Sequence, residues 1–261
     1  MPTQEHSASD SGTYDDSYHG SRNLNVTTAR NSTTSTFDNQ GGGSGFLAVN
    51  YILSGHSQWT MGFGGMTSTT NQVYRSFLSF PLGLGDWGGE TINSVSLRLH
   101  QLTDLSSFFQ NYSAEGSFYV AKATGAVAYT SNTAWNDLDG WVSSGTYEGN
   151  VTKLADAVSC SSNTTYNIDL NSDAVAAVQT MADNMAGGAT LDHLHIALIH
   201  DSDWTDSGYP DTSAGLGTFE GAYIANMEHS TSSLRPLLTV TYGESEEESV
   251  THNSVFFGTN F

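Results

Sequence analysis

The stretch Tyr74 to Leu102, YRSFLSFPLGLGDWGGETINSVSLRLHQL, constrains this chain most. Tyr74, Ser76, Leu78 and Phe80 alternate with Arg75, Phe77 and Ser79. Further on, Ile92, Val95, Leu97 and Leu99 are apolar, and Ser96, Arg98 and His100 alternate against them. Such alternation predicts two β-strands, each with one buried and one wet face. A Gly-rich loop joins them. Pro81 has no N–H to give to a ladder, which predicts the end of the first strand. Near the other end LRPLLTVTY (Leu234 to Tyr242) repeats the pattern, with Leu238, Val240 and Tyr242 on one face.

The rest of the chain reads the same way. Strands are expected at Phe46 to Leu53, Trp59 to Phe63, Ser117 to Lys122, His193 to His200 and Gly221 to Asn226. Thr-rich text from Asn23 to Phe37 has strand propensity with little to bury. One passage is helical: in Asp169 to Met185, Val175, Val178, Met181 and Met185 recur at helical spacing. Asn171 or Ser172 can cap it, and Gly187 with Gly188 end it. The reading is all-β: a single antiparallel jelly-roll-like β-sandwich with one short α-helix and extended N- and C-terminal arms. Residues 1–22 are expected as a flexible arm, 23–242 as the sandwich, and 243–261 as an acidic linker with an apolar docking tail.

An Arg opening an apolar strand, then TINSVSLRL (Thr91 to Leu99), then the closing LRPLLTVTY, resembles the DNRLRE-type, carbohydrate-binding-module-like β-sandwich family. AWNDLDGW (Ala134 to Trp141) and YNIDL (Tyr166 to Leu170) resemble that family's Trp-containing segment and a further strand. The resemblance spans about Gly62 to Tyr242. It implies a jelly-roll fold and carries no catalytic residue with it.

Charge narrows the partners. The chain has 27 acidic and 7 basic residues, a formal net charge of −20. Phosphate binding needs clustered Lys and Arg, so nucleic acid is not an expected partner, and anionic membrane is disfavoured for the same reason. No apolar run is long enough for a membrane-spanning helix. MPTQEHSASDSG has neither the basic nor the apolar region of a secretory signal peptide. The single Cys160 has no internal disulfide partner and reads as a small residue near a turn.

Several constellations could carry chemistry. Asp201, Asp203 and Asp206 form a D-x-D-x-x-D loop after a strand, a candidate Ca²⁺ site because Ca²⁺ takes many oxygen ligands. His193 and His195 point the same way from one strand, a potential Zn²⁺ pair lacking a third ligand in the sequence. Trp135, Asn136, Asp137, Trp141 and Trp204 form a candidate glycan platform, since aromatic rings stack on sugar C–H faces and amides and carboxylates bond hydroxyls. Glu90, Glu115, Glu148 and Glu220 lie in loop-like text with nothing pairing them, and no catalytic motif is present. Beyond the acidic GESEEES, Val255, Phe256, Phe257 and Phe261 make an apolar tail of the kind that docks on a partner.

These features lead to two expectations. The first is a non-enzymatic structural virion protein, a capsid-decoration or tail-associated subunit at the virion surface. It would assemble with itself or other virion proteins through its terminal arms, and adhere to surface glycans. The second is a carbohydrate-binding module of a secreted or surface protein.

Overall fold

The computed structural model describes residues 1–8, 17–23, 37–40, 51–63, 66–83, 87–103, 111–124, 138–139, 147, 149–189, 191–205 and 218–243. In chain order the strands are β1 (Thr3–Ser7), β2 (Ser17–Asn23), β3 (Phe37–Gln40), β4 (Tyr51–Phe63), β5 (Met66–Gly83), β6 (Ile92–Gln101), β7 (Asn111–Ser113), β8 (Ser117–Lys122), β9 (Lys153–Ser159) and β10 (Thr164–Asp169). After helix α1 (Ser172–Ala186) come β11 (Leu191–His200), the short helix α2 (Asp201–Thr205), β12 (Thr218–Ala225), a 3-10 turn (Ser232–Leu234) and β13 (Leu237–Tyr242). The chain is all-β, with α1 as its one substantial helix among the described residues.

β6 organises one layer. β13 pairs with its first part and β10 with its second, and β1 lies outside β13. The other layer is built on β5, whose 18 residues serve three partners. β4 pairs with Met66 to Tyr74 and β11 with Arg75 to Gly83, while β2 pairs with Asn71 to Phe77. Because the β2 register overlaps both of the others, β4 and β11 share one edge in tandem and β2 takes the opposite edge. β8 and then β9 continue outward from β11. β12 joins the layers at a corner through Ile224 and Gln101. The pairings are antiparallel except β7 with β12.

The two predicted strands of the Tyr74–Leu102 stretch thus belong to different layers. Val95, Leu97 and Leu99 of β6 and Leu238 and Val240 of β13 pack against Leu78 and Phe80 of β5, Ile196 and Leu198 of β11, and Phe118 and Val120 of β8. α1 closes one side with Ala174, Val178, Ala182 and Met185. Asn171 caps it, its side-chain oxygen accepting from Asp173 N and Ala174 N, and Trp87 is fully buried in the same core.

Three expectations are corrected. The segment of residues 1–22 is not wholly a free arm: Thr3–Ser7 pairs with β13 and Ser17–Asn23 with β5, because both sheets offer those strands an open edge. Pro81 does not end β5. It sits opposite His193, and pairing continues to Gly83. The alternating face of Arg75, Phe77 and Ser79 is not wet, since every β5 residue from Asn71 to Phe80 is buried.

Candidate functional site

A second, smaller core covers the outer face of β5, β11 and β8. Phe77, Ala121, Ala197 and Ile199 supply its floor; Ala123, Leu138, Tyr147, Val151 and Trp204 pack on top. Arg75 alternates onto this face because Tyr74 and Ser76 occupy the other. Its side chain is completely buried, and so is that of its partner. Arg75 Nε donates to Asp203 Oδ2 at 2.7 Å and Nη2 to Asp203 Oδ1 at 3.0 Å, a two-pronged ion pair. Arg75 Nη2 also bonds the Tyr147 hydroxyl, which donates to Asp203 Oδ1 at 3.2 Å. The guanidinium carbon lies 5.2 Å from the Tyr147 ring centre.

Asp203 reaches Arg75 because α2 turns the chain inward directly after β11. Neighbouring Trp204 stacks on Tyr119 at 4.6 Å between ring centres and packs beside Tyr147. Lys153 Nζ sits 5.1 Å from the Tyr119 ring and 5.4 Å from that of Trp204. An isolated buried ion is very costly, and geometry this complete is what makes a buried pair tolerable.

This arrangement overturns two expectations. The Asp201, Asp203 and Asp206 trio is not a Ca²⁺ site among the described residues: Asp203 points into the interior and is neutralised by Arg75. Asp201 Oδ2 instead accepts from Ser117 N at 2.9 Å, and Asp206 lies outside the described residues. No group of three His, Cys, Asp or Glu side chains is placed to hold a metal ion among the described residues. Trp204 offers no face to a glycan, being 1 % exposed, since its ring is spent on Tyr119 and Tyr147. Trp135, Asn136, Asp137 and Trp141 lie outside the described residues, as do Val255, Phe256, Phe257 and Phe261.

His193 and His195 do lie together, their rings stacked at 5.7 Å. The pair serves packing and hydrogen bonding, because His195 Nδ1 meets Ser79 Oγ across the β5–β11 ladder. Burial, and then the neighbouring His193, push His195 down to about 4. Burial lowers His193 as well. Cys160 follows β9, half-buried, and burial pushes its thiol up to about 12, which leaves it unreactive.

An open cleft of about 400 Å³ lies where β7, β8, β11 and β12 meet, lined by Glu115, Tyr119, His200, Asp201, Thr205 and Glu220. Parallel pairing sets Glu220 opposite Ser113, which brings it toward Glu115. Burial, and then Glu115, raise the Glu220 carboxyl. His200 is fixed: Nδ1 lies 2.8 Å from Ser202 Oγ and Nε2 3.0 Å from Glu115 O. Gly116 closes the floor with a positive φ of 74°, and a Cβ there would lie 2.5 Å from His200 Nε2. The cleft can accept hydrogen bonds and repels anions. Glu115 and Glu220 are far apart in sequence, and no spacing signal links them.

Among the described residues no helix is long and apolar enough to cross a membrane. The resemblance to the DNRLRE-type family rests on the strand motifs quoted above, for no known family model and no curated protein matches this chain.

Proposed function

We propose that the chain is a non-enzymatic structural subunit, a capsid-decoration or tail-associated protein of a virion surface, and that it assembles with further copies through its C-terminal segment. The observation that carries the reading is how the closing strand ends. Tyr242 N donates to Pro2 O at 3.2 Å, and Gly243 N to Thr91 O at 2.9 Å. Asn93 Nδ2 donates to Gly243 O at 2.7 Å. The chain is therefore held at Gly243, at the end of β13 between β6 and β1. Eighteen residues follow in the sequence, first four glutamates and then an apolar stretch. An apolar segment carried on a charged linker from a fixed exit point suits docking on another surface.

A second strand of support comes from the interior. Asp203, Trp204, His193 and His195, which the sequence offers for metal or glycan binding, are engaged in packing, hydrogen bonds or an ion pair. The virion setting draws on the acidic surface, the scarcity of Lys and Arg, and the terminal segments.

The test is the mass in solution, by light scattering, of the intact chain and of a chain ending at Gly243. Assembly through the tail gives an oligomer that becomes a monomer on truncation. Two monomers, or two oligomers of equal size, would overturn the proposal.

A further inference from the structure

β9 and β10 are edge strands of opposite layers. Among the described residues β9 pairs only with β8, and β10 only with β6. They follow one another in the chain yet do not pair with each other. Between them runs an open groove of about 480 Å³, walled by Ala155, Asp156, Ala157 and Val158 on one side and Thr165 to Asp169 on the other, so that each wall carries one carboxylate. Both ends are tied. At one, Asn171 N donates to Leu154 O at 2.7 Å and Asn171 Nδ2 to Lys153 O at 2.8 Å. At the other, Ser161 N donates to the Tyr166 hydroxyl at 2.7 Å. Two facing edges with small side chains on one wall form a receptor for one more strand, because an unpaired edge invites pairing.

We propose that this groove receives the C-terminal segment of a second copy, residues 250–261, as an added β-strand. The inference rests on the assembly reading above and names its docking site. In an extended chain Val255, Phe257 and Phe261 share one face, and Phe256 turns to the other. That face meets Ala155, Ala157 and Val158 on the β9 wall and Ile168 on the β10 wall. The linker 244–249 spans up to about 20 Å when extended.

A neighbouring copy is favoured over the tail's own groove by what lies on the short path. α1 stands beside the exit point, with Gln179 Nε2 donating to Glu90 O at 3.1 Å and Gln179 Oε1 accepting from Ile92 N at 2.8 Å. Asp173, exposed in the first turn of α1, falls between Gln179 at the exit point and the Asn171 end of the groove, and its charge repels Glu244, Glu246, Glu247 and Glu248 laid along that path. A tail arriving from another copy comes in from solvent and avoids the helix. Each copy then gives one tail and takes one, a head-to-tail contact that closes into a ring when the rotation permits.

The test mixes two full-length variants, Asn167→Cys and Phe257→Cys, distinguished by a mass tag, under mild oxidation. The expected product is a covalent heterodimer, formed in far higher yield than when Phe257→Cys is mixed with Asp183→Cys on the helix surface. A full-length Ala157→Arg chain, which fills the groove, should raise the dissociation midpoint of the oligomer about tenfold or more. Equal cross-linking at both positions overturns the groove assignment. So does unaltered assembly of Ala157→Arg. A double variant that cross-links within one chain at high dilution overturns the choice of a neighbouring copy. If truncation at Gly243 dissociates the oligomer while the groove variants do nothing, the assembly reading stands and this inference falls. If truncation changes nothing, both fall.

Discussion

The two faces of the β5–β11–β8 sheet are built from the same alternating strands but closed in different ways. On one face Leu78, Phe80, Ile196, Leu198, Phe118 and Val120 meet the opposite layer, and the packing is chiefly apolar, its buried polar groups being uncharged, such as Ser76, whose hydroxyl donates to Leu53 O. On the other, Phe77, Ala197 and Ile199 are accompanied by Arg75. That face is sealed by α2 and the segments carrying Leu138, Tyr147 and Val151, and its charge is matched by Asp203. A sheet face that reads as solvent-exposed can therefore be interior when distant segments cover it. A charge on such a face must bring its own counter-charge.

Removing the cover of the second face has the largest effect. Trp204→Ala should cost about 3–5 kcal/mol in chemical denaturation, the same range as Phe80→Ala on the first face. A near-neutral Trp204→Ala would mean that the second face is a surface with a loose lid.

A smaller effect lies at the rim, where the second face meets water at His195. Its ring is held down to about 4, against 6.5 in an exposed histidine. The folded state resists protonation, so stability is intact above about pH 6.5 and declines as pH falls toward 4. His193, stacked on it, and the carboxylate of Asp192 act in opposite directions on the same ring. His195→Asn keeps an acceptor toward Ser79 and should flatten the fall in stability between those pH values, followed by thermal melts. An unchanged slope would place the acid sensitivity elsewhere, for instance at the buried His6.

Local signals were legible in the sequence, whereas coverage was not. The strand Ser117–Lys122 has the predicted bounds, and the Asn171 cap and the Val178–Met185 face of α1 follow from spacing. β9 carries no alternation in the sequence, because Leu154 and Ala155 are both buried while Asp156 and Ala157 are both exposed. Its pairing with β8 shifts register, which erases the alternation that marks a strand. The polar text after His200 reads as a loop, yet α2 carries Asp203 and Trp204 inward. Nothing local announces this. Asp203 stands 128 residues from Arg75 and Tyr147 stands 72 away, so the pairing exists only in three dimensions. The carboxylates lining the cleft, Glu115 and Glu220, were invisible as a group for the same reason.

The most direct test of a closed second face is the unfolding free energy of Arg75→Met, Asp203→Leu and the double variant. Each single change strands a buried charge and should cost about 3–5 kcal/mol, whereas the double replaces the pair with apolar groups and should recover most of that loss. Singles close to wild type, or a double as costly as their sum, would contradict a closed second face and return Asp203 to the candidates for metal binding.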